Sequence, residues 1–352
     1  MRTRLLFLFA TLFSASQLLA QGLGIPSKSG GIGFGNLPKF TGIRFNFMDH
    51  GIERINGINV TAWKPKDESG ISGTVNGLAL GVPIAFGSEN LHGVGVGIFG
   101  VGATKNVYGL NVGGLGVGAG GNVKGINLGG LGVGSGGNLW GINAGGLGVG
   151  SGGNVTGLNV GGLGVGAGGS LSGINVGGLG VGAGGKVSGI NVGGLGVGAG
   201  GGLSGITIGG IGAGAGGRVS GITIGGIGVG AGESVNGLSI AGIGVGGPTV
   251  RGIVIAPAAG GNNVSGFMLV PAYFRVGDSK KSDSDDSDGP AAQMKGVSIS
   301  VFNQTFGHFN GVSIGVVNWT RTQRGFQLGL INIVKSNPPG LRILPIFNAS
   351  FN

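Results

Sequence analysis

The residues able to do chemistry in this chain are few and scattered. Its three histidines, His50, His92 and His308, lie far apart, and only His50 has a carboxylate neighbour, Asp49. Such a pair works as an acid/base dyad only when the carboxylate orients the ring, and adjacency in sequence alone describes a surface pair. Gly132, Gly134 and Gly137 match the G-x-G-x-x-G spacing that lets a backbone approach a pyrophosphate. The same string recurs in other copies of the surrounding sequence, and no helix pattern follows to receive a phosphate at its N-terminus. Residues 180–186 spell most of a phosphate-binding loop ending in Lys186, but Val187 stands where a magnesium-binding Ser or Thr is required. Between Asn90 and Gly277 the sole acid is Glu233, which leaves almost nothing there for proton transfer or metal binding.

One segment concentrates acid. GDSKKSDSDDSDGP holds Asp278, Asp283, Asp285, Asp286 and Asp288 out of 11 acidic residues in the chain. Clustered aspartates are hard oxygen ligands of the kind calcium takes. The spacing fails the calcium loop, however: with Gly289 in sixth place, Ser284 comes first and Lys295 occupies the twelfth, where a bidentate Glu belongs. The stretch 277–295 therefore reads as a solvated acidic loop, and WKPKDESG, from Trp63 to Gly70, as a smaller polar insertion. No nucleophile, base and orienting group can be named together, so the expectation is a non-enzyme with no catalytic, cofactor-binding or metal residues.

The elements that would have to position such residues are set by a repeat. From Gly109 the sequence restarts every 16 residues at Gly125, Gly141, Gly157, Gly173, Gly189, Gly205, Gly221 and Gly237, with GINVGGLGVGAGGKVS as a representative copy. The same glycine-apolar-x-apolar start recurs less regularly at Gly57, Gly77 and Gly93, and again from Gly252 to Gly340, which makes an array of about eighteen units. Domain bounds follow: a leader at 1–20, a lead-in at 21–56, the array at 57–276 with its strict period from 109 to about 246, the acidic loop at 277–295, and C-terminal repeats at 296–352.

Each unit reads as short strands. The copy at 173–188 contains seven glycines, and at about 0.8 to 1 kcal/mol each relative to alanine a helix there would forfeit roughly 6 kcal/mol. Its apolar residues are mostly β-branched and spaced by two. With 93 glycines in 352 residues the chain is no ordinary globular sequence, yet the glycines do not fall every third residue as in collagen. Hydrophobic residues at 40% against 9% charged also exclude generic disorder.

Two architectures fit strands joined by glycine turns. In an antiparallel arrangement, extended to an outer-membrane β-barrel, the always-apolar Val187 and its equivalents Val123, Leu139, Val155, Leu171, Leu203, Val219 and Val235 fall on the glycine side. In a β-solenoid with 16 residues per turn, the spacing predicts an inward set of 187, 190, 192, 195, 197 and 199, which buries every recurrent apolar position. Asn111, Asn127, Asn143, Asn159, Asn175 and Asn191 then form a stacked ladder on the outside. The solenoid is the expected fold and the barrel its alternative, since barrel strands need about 9 to 11 residues and aromatic girdles that this chain lacks. On the solenoid, Val187→Asp and Ile190→Asp are expected to be severe and Asn191→Asp mild.

Residues 1–20 read as a secretory leader: Arg2 and Arg4 precede an apolar run at 5–12, and Ala20 is a suitable cleavage residue. Without it the formal charge falls from +10 to +8, and the basic residues are scattered, which argues against nucleic acid as a partner. The absence of cysteine removes disulfides and thiolate metal sites.

The C-terminal units GVSIGVVN (Gly311 to Asn318), GFQLGLIN (Gly325 to Asn332) and GLRILPIFNASFN (Gly340 to Asn352) resemble a family of bacterial surface-repeat proteins. That family is built on Gly-Leu-Gln-Ile-Gly-Leu-Ile-Asn units and closes on a Leu-Pro-Ile-hydrophobic-Asn stretch. The glycine-rich central units are also similar to other surface repeats, including trimeric adhesin heads, although no coiled-coil stalk follows. The resemblance implies an exported protein at the cell surface or outer membrane, with an envelope or surface partner and no catalytic residues. The expected function is thus a structural or interaction protein; the alternative is a barrel serving as pore or anchor.

Overall fold

The computed structural model describes residues 22–63, 73–87, 89–278 and 292–351. The leader, most of the 63–70 insertion and the body of the acidic segment lie outside them. Every 16-residue unit makes two strands. In the turn that starts at Val187 these are Val187–Gly193 and Gly196–Ala199, linked through Gly194 and Leu195. Each residue pairs with the one a full unit further on, in parallel: Val187 with Leu203, Asn191 with Thr207, Gly196 with Gly212. Corner backbones join as well, the Leu195 amide donating to the Leu179 carbonyl at 2.6 Å.

The fold is therefore all-β, a solenoid with regular 16-residue turns. An antiparallel barrel requires successive strands to be ladder neighbours running in opposite directions. Here the ladder partner is the equivalent strand of the next turn and runs the same way, so the antiparallel barrel alternative is corrected to the solenoid.

The chain forms two compact units, residues 1–169 and 170–352. In the first, Leu23–Ser27 lies antiparallel on Gly30–Phe34, which then pairs in parallel with Lys39–Met48, and that strand with Arg54–Trp63. Coiling thus begins inside the stretch 21–56 that the sequence suggests as lead-in, with Gly42 in register with Gly57. In the second, Ile343–Ser350 folds back antiparallel on Val317–Val334.

The glycine that opens each unit is a bend. Gly189 has φ +96°, and a Cβ there would stand 2.1 Å from the carbonyl oxygen of Gly173. Positive φ recurs at the bend glycine of each turn from Gly42 to Gly325, so the backbone itself demands glycine at that place.

The interior is narrow. Val187, Asn191, Gly193 and Val197 point inward and are buried. At Gly193 a Cβ would meet the carbonyl oxygen of Gly196 at 2.0 Å, so no side chain fits. The inward set expected from sequence is corrected accordingly: Val187, Val197 and Ala199 are inside, whereas Ile190 and Leu195 are exposed (42% and 50%), Val192 is half-exposed, and Asn191 takes the interior place at 0%. The asparagine ladder exists, but within the core. In the first unit Asn111 Nδ2 donates to Asn127 Oδ1 at 2.9 Å, Asn127 to Asn143 at 2.8 Å, and Asn143 to Asn159 at 2.8 Å. A buried amide that finds its partner in the next turn carries little of the desolvation penalty of an orphaned one. Where the column changes from Asn to Thr the run stops, and Asn191 Nδ2 and Thr207 Oγ1 have no partner.

Near the start of the first unit the same interior column holds Arg44, fully buried against Asp49. Arg44 Nη1 donates to the Leu37 carbonyl at 3.0 Å, and Asp49 accepts from Asn46 Nδ2 at 2.7 Å, Asn59 Nδ2 at 3.2 Å and Thr61 Oγ1 at 3.1 Å. Burial pushes the Arg44 guanidinium down to about 10.

Candidate interaction surface

The residues that could carry chemistry stay apart. Asp49 is committed to Arg44 and its amide neighbours, while His50 is exposed and bonds to Asn36 only through its main chain. His92 stacks on Tyr108 with ring centroids 5.2 Å apart, and His308 Nδ1 lies 2.6 Å from Thr322 Oγ1. Among the described residues, no three His, Asp or Glu side chains gather in a way that could hold a metal ion. Gly132, Gly134 and Gly137 belong to the strand Gly132–Ser135 and the turn after it, which leads into another strand and not a helix. Lys186 projects from an outer corner between two strands, away from any phosphate cradle. Asp278, the first acid of the acidic segment, meets Arg275 Nη2 at 3.0 Å.

What the fold does assemble is an exterior ridge of apolar side chains. The bend at Gly189 turns the chain so that positions on both sides of it face outward, and the column at 190 follows it on the surface. In the first unit this column is Leu110, Ile126, Ile142 and Leu158, each aligned with the next by the parallel ladder. Two residues on runs the column Val112, Leu128, Ala144 and Val160. The corner adds Leu115, Leu131, Leu147 and Leu163, whose amides donate to the preceding corner carbonyl, Leu115 at 2.7 Å and the other three at 2.6 Å. In the second unit Ile174, Ile190, Ile206 and Ile222 and the corner residues Leu179, Leu195, Ile211 and Ile227 repeat the arrangement, all exposed.

The ridge is large. In one turn of the first unit Ile126, Leu128 and Leu131 are 42%, 40% and 48% exposed, which leaves roughly 200 Å² of contiguous apolar surface per turn. Three turns already reach the upper range for the largest patch on a typical monomer, a few hundred Å². Ala144, smaller than its column neighbours, leaves a shallow open groove of about 570 Å³ between Leu128 and Val160.

Beside the corner lies a surface of the opposite kind. The strands Gly116–Ala119, Gly132–Ser135, Gly148–Ser151 and Gly164–Ala167 bury their Val and turn only glycine outward. These glycines differ from the bend glycines. A Cβ added at Gly166 would meet nothing within 4 Å, and at Gly134 or Gly150 nothing closer than 3.8 Å. None of the three has positive φ. At these three positions the fold has room for a side chain, whereas at Gly116, Gly132 and Gly148 a Cβ would stand 3.0, 3.2 and 3.4 Å from the carbonyl oxygen of the next turn. The polar side of the turn is the stretch before the bend, where Tyr108, Lys124, Trp140 and Thr156 form one column.

Sequence reasoning missed the ridge because it placed these same Ile, Val and Leu residues in the core. The available signal was the absence of any residue larger than glycine at 193, which leaves no space inside for Ile190 and Val192 as well as Val187 and Val197. No family model, curated protein or solved structure matches the chain.

Proposed function

We propose that this is an exported, non-enzymatic repeat protein of the bacterial cell surface or outer membrane, whose solenoid is the structural body and whose exterior columns make its contacts. The observation that carries this reading is the uncharged ridge, repeated turn after turn on a surface where a freely soluble chain would place polar residues. Two features of the sequence support it: the leader-like residues 1–20 and the resemblance of 311–352 to bacterial surface repeats.

Export is tested by expressing the full chain in a Gram-negative host and fractionating the cells. The expected product begins at Gln21 and is found in the envelope or the medium, where an added protease or biotinylation reagent reaches it. An intact N-terminus with all of the protein in the cytoplasm would overturn the reading.

A further inference from the structure

Among the described residues of the second unit the acids are Glu233 and Asp278, against nine Lys and Arg. Five of these cations, Lys186, Arg218, Arg251, Lys295 and Arg324, are far apart in sequence, but the fold places them on two neighbouring outward columns. Lys186 and Arg218 stand one residue before the buried Val187 and Val219, and Arg251, Lys295 and Arg324 one residue after the buried Val250, Met294 and Gln323. The ladder runs from Ser188 through Ser220 and Arg251 to Arg324 with each strand paired to the next, and on it the five cations fall on every second turn. At about 4.8 Å per turn, that is one cation roughly every 10 Å over about 38 Å. All five are exposed, and none belongs to an ion pair of the described residues. Arg218 Nε donates to Ser234 Oγ at 3.2 Å. The turns between them show Ser204, Asn236, Ser265 and Asn310 in the column of Arg251. Glu233 is exposed at the corner before Ser234, outside both columns.

A face that serves solubility alone mixes both signs of charge. Here one sign recurs at a fixed interval, with hydroxyls and amides between, and that pattern is complementary to a ligand with periodic negative charge. We propose that this strip binds a linear acidic polysaccharide in which uncharged and uronic sugars alternate, laid across successive turns of the second unit. Each carboxylate meets one Lys or Arg, and the sugar between two carboxylates sets its hydroxyls against Ser and Asn, which both donate and accept. Such a polymer repeats its charge once per two extended pyranose rings, close to two ladder steps. The long side chains of Arg218 and Arg251 span the offset where the line passes from one column to the other. A nucleic-acid strand fits this interval worse: with a phosphate about every 3.4 Å, roughly one in three would meet a cation. The proposal deepens the reading of the exterior columns as contact surfaces but does not depend on export, so a cytoplasmic location would leave it standing.

The test measures binding of the purified full chain to hyaluronate, in which every second sugar is a uronic acid, with uncharged dextran and single-stranded oligothymidylate as comparison probes. The parent should bind hyaluronate at low salt, release it as salt is raised, and leave dextran unbound. Arg251→Gln with Lys295→Gln should keep the parent's β-sheet circular dichroism and bind about fivefold or more weakly. Arg251→Lys with Lys295→Arg keeps the charges in place and should bind like the parent. Lys28→Gln with Lys335→Gln removes the same charge outside the two columns and should also bind like the parent. A parent that does not bind hyaluronate, or equal weakening by the two pairs of Gln substitutions, would overturn the proposal. So would tighter binding of oligothymidylate than of hyaluronate, which would make nucleic acid the occupant.

Discussion

Asn143 sits in the middle of the interior ladder, accepting from Asn127 and donating to Asn159, with none of its surface exposed. Asn143→Asp removes the donor and places a carboxylate in a core with no cation to meet it, and should cost about 3 kcal/mol or more in urea unfolding. Its neighbour Ile142 is 44% exposed, so Ile142→Asp should change stability by no more than about 1 kcal/mol. The same order holds at 190 and 191, reversing the expectation drawn from sequence, while Val187→Asp stays severe because Val187 is fully buried. The apolar identity at 187 was readable from sequence and correctly assigned inside. That of Ile190 was equally readable and assigned to the wrong side, because hydrophobicity alone ranks isoleucine ahead of asparagine for burial. Only the alignment of each asparagine with the next reverses that ranking.

At the scale of the element, two kinds of glycine make opposite predictions. Gly189→Ala forces a side chain into positive φ and against the Gly173 carbonyl, and should cost on the order of 3 kcal/mol in thermal or urea unfolding. At Gly198 a Cβ meets nothing within 4 Å, so Gly198→Ala should be neutral or slightly stabilising. The sequence shows both as invariant glycine in the repeat; the backbone conformation separates them. The first turns of the first unit carry a different test. Arg44→Met leaves Asp49 buried without its cation and should cost about 3 to 5 kcal/mol, and adding Asp49→Asn should recover part of that loss. No sequence pattern pointed to Arg44, since only the ladder register places it in the column that Asn59 and Asn111 occupy further on.

On the scale of the whole molecule, stability should be close to a sum over turns and their nearest neighbours. Removing residues 205–220 brings Gly221 into the place of Gly205 and restores every column, because Gly205 and Gly221 are ladder partners. Such a chain should fold with the same circular dichroism and lose only a few degrees of thermal midpoint. Removing 205–212 instead brings Ala213 into the place of the bend glycine, and should give an aggregated or unfolded product. Folding of both deletions with equal stability would show that the columns do not specify the register.

The period, the all-β content and the corners followed from the sequence by itself, because glycine spacing and β-branched residues act locally on the backbone. The coil was the favoured of two geometries, since the antiparallel one puts the apolar column at 187 on the glycine side, and the parallel pairing of equivalent strands decided it. Which side of each strand faces inward was a tertiary decision. A strand offers two sides and the sequence marked both as regular, one with Ile and Val, the other with Asn and Gly. Two physical facts then chose. The turn is so tight that Gly193 has no space for a Cβ, which excludes the bulkier columns from the interior. The parallel register sets each Asn against its equivalent 16 residues on, where amide meets amide and a polar column can be buried.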